Sequence, residues 1–222
     1  MLYPNIAGFG GQRFLKLKDP ELMLVCVRAY NDFLIEWADE GPGRFIPIAA
    51  LPFWDVELAV LEAKRAVEAG HKGVLFSGAP YELDFPVLAD RHWDPLWNTL
   101  QDLDVSVSIH LGSDDIRKSM ERGGGAESRA NAGCRVPTDL FLNIGRQLND
   151  LLFSGVLPRF PGLKFVMVES GIGYIPFVLD SADYHFRKSA LREEWPCTRY
   201  CRASTSAGSA RRPSGSRTSR RS

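Results

Sequence analysis

Four short apolar or β-rich runs punctuate this chain, and a stretch of helical character separates each from the next. They are Arg44-Phe45-Ile46-Pro47-Ile48-Ala49-Ala50-Leu51-Pro52, Gly73-Val74-Leu75-Phe76, Val105-Ser106-Val107-Ser108-Ile109-His110 and Leu163-Lys164-Phe165-Val166-Met167-Val168-Glu169. Strands this apolar are covered on both faces, and strands alternating with helices lie parallel. The intervening helices carry start and stop signals. Asp19-Pro20 opens one over 22–39 that Gly41-Pro42-Gly43 stops, Asp55 caps one over 56–69 that ends at Gly70, and Asp94-Pro95 opens one to about 103. Thr138 is the expected cap of a helix over 139–153, and a last helix is expected over 175–192, with Pro176 in its first turn. The stretch 112–137 is polar and glycine-rich and reads as a long loop or lid. Two α/β arrangements fit: an open doubly wound sheet, or part of a (β/α)8 barrel, which takes about 250 residues for eight strands.

Composition limits the alternatives. The chain has 222 residues, 45% of them hydrophobic and 24% charged, a globular balance that excludes collagen-like or wholly disordered classes. Its mean hydropathy is −0.15, and no run reaches the ~18 apolar residues of a membrane span. The first residues show neither a basic nor a long apolar leader, and four cysteines are too sparse for a disulfide scaffold, so a soluble cytoplasmic protein is expected. The neutral net charge hides an asymmetry. Residues 197–222 hold seven of the 27 basic residues and none of the 27 acidic ones, leaving 20 against 27 before them, a net of −7. With seven Ser and no Val, Ile, Leu, Met, Phe or Trp, that segment cannot bury enough apolar surface to order itself. The expected organisation is a folded domain over 1–196 and a disordered Arg/Ser-rich tail over 197–222. The tail's Arg, Ser, Ala, Gly and Pro content is what GC-rich coding DNA gives when read out of register, and a shifted reading frame is its expected origin. A genuine solvated tail is the competing reading.

In a parallel α/β protein, ligands sit at the carboxyl ends of the strands. Here those ends are Trp54-Asp55, Ser77-Gly78, His110-Leu111-Gly112-Ser113 and Glu169-Ser170-Gly171. His110 stands out, because an imidazole ending a buried strand needs a partner and suits a metal. Each candidate has a plainer reading. His110 could be a satisfied core group and Glu169 a structural anion, while Trp54, Trp93 and Trp97 are wall and core. His71, His92 and His185 read as structural. Cys197 and Cys201 lack a second ligand pair for zinc, and Gly123-Gly124-Gly125 lacks the lysine of a phosphate loop.

Several stretches resemble the amidohydrolase-related family of metal-dependent hydrolases and decarboxylases. They are Arg28-Ala29-Tyr30-Asn31-Asp32-Phe33-Leu34, the runs over 44–52, 73–78 and 107–110, and the specific segment 151–164 with its Phe153-Ser154-Gly155-Val156-Leu157-Pro158-Arg159-Phe160-Pro161 core. The resemblance implies an α/β fold, an incomplete (β/α)8 barrel whose strands here are three to six of eight. It implies a divalent metal at the carboxyl face, with zinc the expected ion. His110 then matches the strand-five metal ligand. Glu169, where many relatives place a histidine, is the candidate catalytic residue, and Trp54, Ser77 and Ser170 are candidates for substrate binding. The ligands expected on strands one and eight are not in this sequence. The implied function is hydrolysis or decarboxylation of a small carboxylated, aromatic substrate; the alternative is an inactive truncated remnant. Nucleic acid binding through the basic tail is opposed by the body's net charge. An unclosed barrel exposes unpaired strand edges, so self-association into a homo-oligomer is expected, and no membrane partner is.

Overall fold

A computed structural model describes residues 1–4, 8 and 11–195; the expected tail over 197–222 lies outside the described residues. The chain divides into two units, Met1–Tyr174 and Ile175–Ser222. In the first, Asp19 accepts hydrogen bonds from the N–H groups of Glu21 and Leu22 and caps α1 (Pro20–Asp39), with proline at its first position. Asp55 does the same for α2 (Val56–Ala69). Both caps satisfy first-turn donors that have no helical partner. The strands are β1 (Ile48–Ala49), β2 (Gly73–Leu75), β3 (Ser106–His110) and β4 (Lys164–Val168). Between β2 and β3 lies α3 (Asp94–Asp102); between β3 and β4 lie α4 (Ile116–Glu121), α5 (Arg129–Phe153) and α6 (Val156–Arg159).

The sheet runs β1-β2-β3-β4 in chain order, and every neighbouring pair is parallel. A doubly wound sheet reverses direction at a switch point, whereas the described strands keep one direction throughout, an order consistent with part of a barrel. Packing agrees. Val74, Phe76, Val107 and Ile109 share one core with Ala59, Ala63 and Ala66 of α2, Leu96, Trp97 and Leu100 of α3, and Ile144 of α5. Since alternate residues of a strand face opposite ways, Ser108 and His110 belong to the other face of β3.

Several expectations need correction. The lid over 112–137 is largely helical: it contains α4 and the first turns of α5, and Pro137 lies inside α5. The cap is Ser128, whose hydroxyl accepts from the N–H of Asn131, while Thr138 donates its hydroxyl to the Cys134 carbonyl within the helix. A proline breaks the ladder by withholding an N–H. Here side chains tie the segment down: Arg135 grips Glu127 through two bonds of 2.7 and 2.6 Å, reaches Asp139 at 2.8 Å, and Arg122 and Ser119 also bind Asp139. Second, β1 is far shorter than the run over 44–52. Third, its outer edge is not bare. Leu2 pairs with it in parallel, its N–H donating to Ile46 at 2.9 Å and its carbonyl accepting from Ile48 at 3.1 Å. The last long helix, α7 (Tyr174–Lys188), ends earlier than expected, and α8 (Leu191–Glu194) follows. Within the second unit, Arg187 pairs with Asp183 one turn earlier, and the Lys188 ammonium sits 4.1 Å above the Tyr184 ring. No helix among the described residues is long and apolar enough to cross a membrane.

Candidate metal-facing site

The carboxyl ends of β3 and β4 are neighbours because His110 pairs in register with Val168. The next residue, Glu169, takes a left-handed conformation with φ 53°, which ends β4 abruptly. Such a backbone costs a non-glycine residue about 1–3 kcal/mol and is held by its surroundings. That turn leaves the Glu169 carboxylate 3.6 Å from Nε2 of His110. His110 is 2% exposed and Glu169 is 71% exposed, so the pair joins a buried ring to a solvent-facing anion.

The orientation of the imidazole is set by its backbone. Nδ1 lies 2.8 Å from the Leu111 carbonyl, and since a carbonyl only accepts, Nδ1 carries the proton and donates. In the neutral ring Nε2 is then the basic nitrogen, the arrangement that suits a metal-bound histidine. Two donors about 2.1 Å from one tetrahedral ion lie roughly 3.4 Å apart, so the spacing of 3.6 Å suits neighbouring ligands of a single cation. The fit is incomplete, because no group of three or more His, Cys, Asp or Glu residues able to hold a metal occurs among the described residues. A catalytic zinc centre normally has three protein ligands.

The remaining candidates are placed differently. Ser77 is buried; its hydroxyl donates to the Ser113 carbonyl at 2.9 Å and accepts from the Ala79 N–H at 3.1 Å. Ser113 in turn donates its N–H to the His110 carbonyl, so Ser77 is joined to the His110 loop through the backbone. Ser170 bonds within its own turn, to the Met167 and Gly171 carbonyls at 3.3 Å each. Trp54 is half-buried edge-on between Phe14 and Phe53, and its indole N–H holds no hydrogen bond among the described residues. Both serines thus shape the strand-end turns, and Trp54 packs against the core.

Sequence reasoning missed four neighbours of this site. Tyr3 sets its ring edge-on to His110 with centroids 5.5 Å apart. Gln12 donates to the Gly112 carbonyl at 3.0 Å across 100 residues of chain. Asp114 and Gln147 are fully buried, and Ser113 donates to Gln147 at 3.4 Å. Only at Gly78 was there a local signal. A Cβ there would lie 2.9 Å from both Gln147 Cβ and Ile109 Cγ2, so the backbone of β2's exit needs glycine to approach α5.

Residues 17–213 match the sequence profile of the amidohydrolases. The chain belongs to the amidohydrolase family. Two curated relatives are gamma-resorcylate decarboxylases. That of Polaromonas sp. (strain JS666 / ATCC BAA-500) is 30% identical over 178 residues, covering 78% of this chain and 52% of the relative. That of Rhizobium sp. (strain MTP-10005) is 33% identical over 188 residues, covering 82% and 55%. Among solved structures, a dihydroxybenzoic acid decarboxylase from Polaromonas sp. JS666, with bound manganese and 2-nitroresorcinol, is 26% identical with a TM-score of 0.56, covering 82% of this chain and 55% of that one. This amidohydrolase therefore spans about half the length of the curated relatives it matches.

Proposed function

We propose that this amidohydrolase carries part of the active site of a metal-dependent decarboxylase for small aromatic carboxylates, and that its strands are the third to sixth of an eight-stranded barrel. The observation that carries the reading is the His110–Glu169 pair, fixed by a Leu111 carbonyl at the carboxyl ends of adjacent strands in a singly wound sheet. The decarboxylase relatives, one with manganese and a resorcinol-type inhibitor, favour decarboxylation over hydrolysis and an aromatic substrate. They support a divalent ion and leave zinc and manganese as rival occupants.

A divalent ion would be held by Nε2 of His110 with Glu169 beside it, and when bound it would supply positive charge to orient a substrate carboxylate. The chain's own residues do the rest. Leu111 keeps the proton on Nδ1, and Glu169 offers an exposed carboxylate beside Nε2 of His110. Ser77 and Ser170 keep the strand-end turns that frame the substrate in place.

The test is calorimetric titration of the metal-stripped full chain with Mn²⁺ and with Zn²⁺, alongside an assay of 2,6-dihydroxybenzoate consumption. Weak cation binding that His110→Ala abolishes and Glu169→Gln weakens is expected. Binding indifferent to His110→Ala overturns the assignment. Hydrolysis of an amide or ester without any decarboxylation overturns the proposed reaction.

A further inference from the structure

A cleft of about 350 Å³ lies between the segment after β2 and the last turns of α5, sharing no residue with the site above. Its walls are apolar where Val87, Leu88, Ala89 and Phe153 line it and polar at Asn149, Ser154 and the Tyr81–Asp150 pair, with Asp150 the one charged residue of the lining. The Tyr81 hydroxyl donates to Asp150 at 3.3 Å. A carboxylate accepts several hydrogen bonds, and this one receives only that neutral donor among the described residues. The cation one turn earlier on α5, Arg146, is ion-paired with Glu82 instead. Burial pushes the Asp150 carboxyl up, against the opposing pull of the Tyr81 hydroxyl and the Arg146 charge.

The cleft is preformed. The Trp93 indole N–H donates to the Pro86 carbonyl at 3.0 Å, the Asp90 N–H donates to Val87 at 3.0 Å, and Leu88 is buried in the main core. These bonds fix the wall on which an apolar body would lie, so little ordering entropy is lost on binding. Volume, a largely apolar lining and a few polar groups, one of them charged, are the marks of a small-molecule pocket.

We propose that this cleft binds a small organic cation, a primary ammonium on a short apolar or aromatic body, with Asp150 as the counter-ion and Tyr81 steering the carboxylate. The ammonium would supply the charge-assisted donor that the carboxylate lacks, and the hydrocarbon would cover Val87, Leu88 and Phe153.

Titration of the full chain at pH 8 with benzylammonium chloride, benzyl alcohol and sodium benzoate tests this without any variant. Benzylammonium should bind about tenfold more tightly than benzyl alcohol, as a charge-assisted bond implies, and benzoate should not bind. Its affinity should fall as salt rises. It should also fall as the pH is lowered toward 4 and Asp150 takes up a proton, with Tyr81, Glu82 and Arg146 the other titratable groups around it. Asp150→Asn should erase the preference for the cation, and Tyr81→Phe should reduce it. Equal binding of benzylammonium and benzyl alcohol, or a preference that survives Asp150→Asn, overturns the proposal.

Discussion

Replacing Asn31 with alanine should cost this protein more stability than any other single polar substitution on α1. Asn31 is 1% exposed and spends its whole amide on tertiary contacts. Its Oδ1 accepts from the Ala50 N–H at 2.9 Å, and its Nδ2 donates to the Ala50 carbonyl at 3.0 Å and to Glu62 at 2.7 Å. Glu62 is fully buried and also holds Arg65 and Arg28. Asn31 therefore fastens the end of β1 to α1 and α2. The two neutral bonds are worth about 1 kcal/mol each and the bond to the carboxylate about 2 kcal/mol, for a total of roughly 4 kcal/mol. Alanine also leaves the buried Ala50 N–H and carbonyl without their side-chain partner. Guanidinium denaturation followed by tryptophan fluorescence should show a lower midpoint at unchanged slope. In a double-mutant cycle, Asn31→Ala and Glu62→Gln should couple by about 1–2 kcal/mol. A loss below about 1 kcal/mol, or additive effects, would refute the argument that this network anchors the strand.

Three further outcomes are expected. Burial pushes the pKa of His71 below 6.5, and its Nε2–H donates to the Asn31 carbonyl at 3.1 Å. Below pH 6.5 the unfolded chain takes up a proton that the folded one refuses, so stability should fall as the pH drops through that value, and His71→Gln should flatten the dependence. Asp114 behaves oppositely: burial raises its pKa, so the folded state holds its proton more tightly and loses that stabilisation as the pH rises from 3.8. Asp114→Asn should accordingly raise the melting temperature at pH 7 and not at pH 3; a loss at pH 7 would mean that the charge is paired. Finally, amides over 129–153 should exchange slowly with solvent on both sides of Pro137, whereas fast exchange over 129–137 would restore the open-loop reading.

Much of this fold is legible locally. Asp19, Asp55 and Gly70 mark helix ends through bonds within one turn, and the apolar runs locate all four strands because burial on both faces demands them. His110 is visible for the same reason, as the polar residue that ends such a run. Pro137 misleads because local rules disfavour a proline inside a helix without seeing Arg135, Glu127 and Asp139 bonded to one another around that segment. Sheet order, the contact of Tyr3 with His110 and the bond from Gln12 to Gly112 belong to the tertiary structure alone. So does the approach of Glu169 to His110. Hydrophobic period and capping report interactions a few residues apart, whereas these contacts join elements whose meeting depends on how every intervening helix packs.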